Sequence, residues 1–167
     1  MKKKICSTLL KSPIGLIELS ATERGLFSVK IGGRSEFTGC AKRCCDDSEE
    51  CEVLNSAERE LKEYFEGRRK EFTVRLEVVG SKFDTIVWSS LRSIPYGEVR
   101  SYRWLAEQIG HPNAYRAVGR ALSRNPLPIF LPCHRVVRAD GGLGGYSAGV
   151  DVKRLLLRLE RENPVRS

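Results

Sequence analysis

The chain has 167 residues, enough for one ordinary domain or two small ones, and its 41% hydrophobic and 30% charged residues suit a soluble globular protein. No stretch approaches the roughly 20 apolar residues of a membrane-crossing helix, and the apolar run behind Met1-Lys2-Lys3-Lys4 is broken by Lys11, Pro13 and Glu18, which argues against export and for the cytoplasm. The net charge of +8 is unevenly spread: residues 1–80 carry 15 basic and 14 acidic side chains, residues 81–167 carry 14 and 7.

The first half reads as a small mixed domain, residues 1–80. Residues 5–10 and 14–20 predict two strands joined by a turn at Ser12-Pro13, and residues 26–31 a third. Residues 32–48, rich in Gly, Cys, Ser and charge, read as a loop. The spacing of Leu54, Ala57, Leu61, Tyr64 and Phe65 predicts a helix over 53–66, ended by Gly67. Alternation over 71–78 predicts one more strand, and Gly80-Ser81 marks the boundary.

Residues 81–167 switch to helical periodicity. A helix over 82–93 is stopped by Pro95-Tyr96-Gly97. Ser101 predicts the N-cap of a helix running to Ile109, with Gly110 at its C-terminus. Another helix follows at about 113–124, opened by Asn113 and closed before Asn125-Pro126. The two make a helix-turn-helix candidate. On the second, Ala117, Val118, Ala121 and Leu122 face inward, while Arg116, Arg120 and Arg124 line the outer face. Gly119 costs helix stability but lets that face approach another surface closely. The fold class is therefore α+β: a small sheet-and-helix domain, then a mostly helical domain with a winged-helix-like helix-turn-helix.

Between Arg100 and Arg138 stand seven arginines and no lysine, opposed only by Glu107. Such a segment is either a solvated basic face or a footprint for nucleic acid, whose phosphate oxygens suit the guanidinium fork. Beyond it, Pro132-Cys133-His134-Arg135 follows an apolar segment. A cysteine so placed is either an inert buried thiol or a nucleophile held by the polar groups beside it. His134 is adjacent in sequence, so a water would have to relay its proton, with a carboxylate orienting the imidazole; Glu160, on a C-terminal helix over 151–162, is the candidate. The Gly141–Gly145 segment lacks the Lys-Ser/Thr of a phosphate loop and reads as a close-approach loop beside Cys133.

Pro132-Cys133-His134-Arg135-Val136 resembles the O6-alkylguanine-DNA alkyltransferase family. The likeness covers about residues 82–162 and includes Pro95-Tyr96-Gly97-Glu98-Val99, Ser101-Tyr102, Arg116-Ala117-Val118-Gly119, Asn125-Pro126, Gly144-Gly145-Tyr146-Ser147 and Glu160. It implies stoichiometric, irreversible transfer of an alkyl group from O6-alkylguanine, and from O4-alkylthymine, in double-stranded DNA to Cys133, by a monomer that needs no cofactor and no membrane. The resemblance assigns Cys133, His134, Glu160 and Asn125 to catalysis and Tyr102, Val136, Tyr146 and Ser147 to the substrate. Minor-groove binding would fall to Arg116, Ala117, Gly119, Arg120, Arg124 and Arg135, with Arg116 replacing the flipped nucleotide in the stack.

The N-terminal cysteines Cys6, Cys40, Cys44, Cys45 and Cys51 lie outside these motifs. Cys40-xxx-Cys44-Cys45 lacks a C-x2-C knuckle, and no histidine precedes His111. Free thiols are the expectation, with a disulfide or a metal site as alternatives and no metal assigned.

Overall fold

The computed structural model describes residues 3–33 and 48–163. The chain divides into two compact units, Met1–Val78 and Val79–Ser167. Cys40, Cys44 and Cys45 lie outside the described residues.

In the first unit, β1 (Cys6–Ser12), β2 (Gly15–Thr22) and β3 (Gly25–Gly32) form an antiparallel sheet in chain order. A short turn joins β1 to β2, pairing Leu10 with Ile17 and Cys6 with Ala21. That register puts Cys6, Thr8 and Leu10 on one face with Ile17, Leu19 and Ala21, all buried. Helix α1 (Glu49–Phe65) covers this face with Val53, Leu54, Ala57, Leu61 and Tyr64. It begins earlier than its apolar periodicity indicates. Ser48 takes an extended cap conformation, and Glu49, Glu50 and Glu52 place negative charge where the helix dipole favours it. Cys6 is disulfide-bonded, so the N-terminal cysteines are not all free thiols, whereas Cys51 is a buried thiol outside any disulfide.

Residues 71–78 alternate like a strand but do not form one. The Glu60 carboxylate captures this segment's donors instead: Thr73 N at 3.0 Å, Val74 N at 3.2 Å and Thr73 Oγ1 at 2.6 Å. Among the described residues only Leu26 pairs with it, through Leu26 N to Arg75 O and Glu77 N to Leu26 O, an isolated bridge. That approach requires Gly25, where φ is +146° and an added Cβ would lie 2.7 Å from Arg75 O.

The second unit is mostly helical. α2 (Lys82–Ser90) starts at Ser81, whose hydroxyl accepts from Asp84 N, and a 3-10 turn over Leu91–Ser93 completes the expected 82–93 helix. β4 (Arg100–Ser101) leads into α3 (Tyr102–Gln108), where Ser101 caps as expected by accepting from Trp104 N at 3.0 Å. α4 (Tyr115–Ser123) begins at Ala114, not Asn113, and packs against α3 and α2. Trp88 Nε1 donates to Ala121 O at 2.8 Å and ties α2 to α4. β5 (Val136–Val137) pairs in parallel with β4, and α5 (Val150–Glu162) closes the chain. The core gathers Val87, Trp88, Leu105, Val118, Ala121, Leu127, Leu131 and Leu156. No helix among the described residues is long and apolar enough to cross a membrane.

Candidate active site

The segment from α4 to Cys133 folds onto the Asn125 side chain. Asn125 Oδ1 accepts from Leu127 N, and Nδ2 donates to Leu131 O, both at 2.9 Å. Leu131 N reaches back to Leu127 O at 2.9 Å, and Cys133 N donates to Leu131 O at 2.7 Å. This tight path forces Ile129 to a φ of 75°, a costly conformation for a β-branched residue, held here by burial and by the Asn125 brace. The loop thereby delivers Cys133 to the start of a 3-10 turn, Cys133–Arg135, which runs into β5.

Beneath that turn lies a buried ionic cluster. His134 Nε2 and Glu160 Oε1 are 2.7 Å apart, and both residues are almost fully buried. Arg135 donates to the same carboxylate from Nε and NH2, at 3.0 and 2.9 Å, and from NH1 to Ile94 O at 2.8 Å. Gly97 N adds a donor at 3.2 Å, so the Pro95-Tyr96-Gly97 turn contributes to the cluster. Burial works against the Glu160 carboxylate, but the His134 hydrogen bond and the Arg135 guanidinium outweigh it and hold its carboxyl well below the usual range. Burial also depresses His134, against the pull of Glu160, so the imidazole is neutral at neutral pH.

Above the turn is a cavity of about 380 Å³, lined by Tyr102, Gly119, Leu122, Ser123, Cys133, Gly145, Tyr146 and Ser147. Its size falls in the range of small-ligand pockets. Gly144 lets the loop close on Tyr102, since an added Cβ would lie 2.5 Å from the Tyr102 hydroxyl. Burial pushes the Cys133 thiol up from its ordinary value, and the Asn125 amide, the Lys153 charge and the Tyr146 hydroxyl offset this only in part. The Tyr146 hydroxyl makes no well-formed hydrogen bond to a described residue, so it is a neighbour of the sulfur and not a bonded partner.

The structure thus gathers Cys133, Tyr102, Tyr146 and Ser147 at one cavity, with His134, Glu160 and Asn125 packed behind it. Arg116, Ala117, Gly119 and Arg120 lie on α4, with Arg116 and Arg120 exposed and the Arg116 guanidinium 5.9 Å from the Tyr115 ring centre. Two arginines that the sequence reading assigned to DNA are engaged in ion pairs. Arg135 is only 6% exposed and its guanidinium is spent on Glu160 and Ile94 O, so it neither reaches DNA phosphates nor holds a thiolate. Arg124 projects from the end of α4 but pairs with Asp84 at 2.7 Å. One residue went unnoticed. Lys153 on α5 is fully buried, and its ammonium donates to Val136 O at 2.7 Å and Gly145 O at 3.2 Å. The signal was present: Lys153 shares one helical face with Leu156, Leu157 and Glu160, a cation on an apolar stripe.

Known proteins resemble the chain over both units. Residues 82–162 match the family model for the 6-O-methylguanine DNA methyltransferase DNA binding domain, and residues 5–78 match that for its ribonuclease-like domain. A Methanosarcina barkeri methylated-DNA–protein-cysteine methyltransferase is 42% identical over 158 residues, covering 93% of this chain and 96% of that protein. A protein of the same name from Methanosarcina acetivorans is 45% identical, covering 91% and 96%. Among solved structures, Mycobacterium tuberculosis O6-methylguanine methyltransferase superposes with a TM-score of 0.82 at 38% identity, covering 98% of this chain and 97% of the other. Mycobacterium tuberculosis OGT in complex with DNA gives 0.79 at 40% identity, covering 93% and 92%. The chain belongs to the 6-O-methylguanine DNA methyltransferase family.

Proposed function

We propose that the chain repairs O6-alkylguanine in double-stranded DNA by moving the alkyl group onto Cys133 Sγ, once per molecule and irreversibly. The observation that carries this reading is a cysteine in a cavity wall backed by a buried His134–Glu160 pair. The resting thiol is protonated, because burial raises its pKa. Attack therefore requires a base, and the neutral His134 imidazole, oriented by an ionised Glu160, is that base, with one water carrying the proton from Sγ to Nδ1. The sulfur lone pair forms the S–C bond, and the C–O6 bond breaks with its electrons moving to guanine. The proton ends on the departing base. Atoms and electrons balance without a cofactor, and the thioether offers no route back, so each chain reacts once. A ring-attached alkoxy group of the same geometry on thymine, O4-alkylthymine, fits the same chemistry.

The base must leave the helix to reach a buried sulfur. Extrusion costs a few kcal/mol, which insertion of the exposed Arg116 into the vacated stack and phosphate contacts from α4 would offset. Gly119 supports a close approach of DNA to α4: an added Cβ would meet only Tyr102 ring atoms at 3.9 Å, an ordinary contact, so nothing inside the fold requires glycine there. Within the cavity, Tyr102 and Ser147 offer hydroxyls to the base. The carbonyls of Cys133 and Val136 accept from its exocyclic amine, and Val136 O keeps a second lone pair despite its bond to Lys153.

Incubation with duplex containing O6-methylguanine should add about 14 Da, one CH2, to Cys133 alone. Cys133→Ala should bind the duplex and gain nothing. Multiple turnovers would indicate a hydrolase instead, and methylation of another cysteine would remove Cys133 from the mechanism. Arg116→Ala should slow transfer from duplex far more than transfer from free O6-benzylguanine, which needs no extrusion. Equal losses would mean that Arg116 is not the wedge.

A further inference from the structure

Lys153 is a buried titratable group near the cavity that the mechanism above leaves unused. A buried ammonium is expensive unless an anion accompanies it. Among the described residues none does: its partners are the carbonyls of Val136 and Gly145 and the face of the Tyr102 ring, 5.8 Å from Nζ. Both Gly145 and Tyr102 line the cavity that holds Cys133. The other cations close to the thiol are already compensated or discharged. Arg135 is neutralised by Glu160, and the His134 imidazole is neutral.

We propose that Lys153, held on the carbonyls of Val136 and Gly145, is the fixed positive charge that stabilises the Cys133 thiolate. This rests on the alkyl-transfer reading for its purpose, though the pairing itself is a property of the thiol. Lys153 acts through Cys133 and does not touch the alkylated base. The titratable groups facing it are Tyr102 from α3, whose ring centre lies 5.8 Å from Nζ, and Cys133 and His134 from the 3-10 turn, both of which feel its charge. Of these, only Cys133 both lacks a counter-charge and becomes negative during the reaction. The electrostatics are reciprocal. Burial pushes Lys153 down to about 8 while the Cys133 charge pulls it back up, and Lys153 in turn pulls the thiol down. Proton loss from Sγ would create an ion pair where the resting site holds a lone cation. Alkylation converts that pair to a thioether and the lone cation again. The stabilisation is thus largest when the sulfur is charged, which is when it promotes attack.

A purely structural Lys153 would serve only to tether two carbonyls. Lys153→Gln separates the roles, because its amide keeps donors and loses the charge. The rate of Cys133 carboxamidomethylation by iodoacetamide, followed across pH by peptide mass, reads the thiolate without DNA or alkylguanine. In Lys153→Gln the midpoint should rise by at least about one pH unit, slowing reaction at neutral pH about tenfold, and Lys153→Arg should restore part of the loss. An unmoved midpoint in a folded Lys153→Gln chain would overturn the pairing. Should that variant not fold, the wild-type chain decides the matter: the NMR titration midpoint of the Lys153 side chain should fall once Cys133 is carboxamidomethylated, and an unchanged midpoint overturns the proposal. Transfer from O6-benzylguanine, measured alongside on the wild-type chain, tests the alkyl-transfer reading separately.

Discussion

Two glutamates, one in each unit, are buried to the same degree, at 1% exposure, yet they sit in different kinds of company. Glu60 on α1 accepts from two backbone amides and a hydroxyl of the 73–74 segment, with Arg69 at 3.7 Å on the rim. Glu160 on α5 accepts from an imidazole and a guanidinium, both buried, behind a cysteine in a cavity wall. The first carboxylate replaces missing strand pairing and fixes the shape of its unit. The second fixes the tautomer and orientation of an imidazole. Burial of a carboxylate is therefore no sign of chemistry by itself. What distinguishes the two is whether the partners titrate and whether they face a cavity.

The sharpest way to break that comparison is to make the same substitution at both sites. In Glu160→Gln an amide NH2 meets the donors of His134 and Arg135, and the guanidinium is left buried without its counter-charge, which costs about 3–5 kcal/mol. Transfer from free O6-benzylguanine should fall by orders of magnitude at a temperature where the chain is still folded. In Glu60→Gln one oxygen still accepts from the backbone, and the Thr73 hydroxyl can turn to accept from the new amide. The expected loss is about 1–2 kcal/mol, with the transfer rate unchanged. Denaturant unfolding and single-turnover transfer on both variants check this. A transfer defect in folded Glu60→Gln would erase the distinction.

That contrast also marks how far the sequence could be read. Period located α2, α4 and α5, and the Ser101 cap added to it for α3, because a cap and an apolar stripe act locally. The segment 71–78 misled because alternation reports which side chains turn inward, not where backbone donors go, and Glu60 had taken them. Lys153 was missed since a lysine is read as solvated until packing shows it on an apolar face. Arg135 was misplaced for a related reason: adjacency to Cys133 put it near the thiol, but its side chain turns to Glu160, 25 residues away in sequence. Glu160 was a candidate orienter of His134 on chemical grounds and gained a catalytic role from the family resemblance, but spacing alone could not have shown the contact.

A second, smaller effect sharpens the comparison through pH. His134 has a depressed pKa because burial disfavours its charged form. The unfolded chain therefore binds a proton that the folded chain refuses, and the stability tied to the neutral imidazole is fully present above the unfolded value of about 6.5 and is lost as pH falls below it. The cluster around Glu60 contains no histidine and adds no such slope near neutrality. Urea unfolding between pH 7.5 and 5.5 should show stability falling with acidification in the wild-type chain and a shallower fall in His134→Asn. Identical slopes would mean that His134 already carries its proton in the folded state, and the base assigned to the mechanism would have to be sought elsewhere.

The smallest effect concerns the arginines of α4, where the same question of company decides function at the surface. Arg116, Arg120 and Arg124 share one sequence pattern, but Arg124 is held by both oxygens of Asp84, at 2.7 and 3.3 Å, and Asp84 in turn sits in the first turn of α2. A guanidinium so engaged would have to abandon a carboxylate to take a phosphate, and gains little by the exchange. Each phosphate contact contributes about 0.9 to the slope of log affinity against log salt on duplex DNA. Arg120→Ala should therefore lower the slope by about one contact's worth, whereas Arg124→Ala should leave it nearly unchanged. Asp84→Asn provides the converse: by releasing Arg124 it should steepen the slope and tighten binding at low salt. Fluorescence anisotropy on an undamaged duplex across a salt series measures all three. A slope that falls as much in Arg124→Ala as in Arg120→Ala would show that DNA displaces Asp84, and would return Arg124 to the phosphate-binding face that its spacing first suggested.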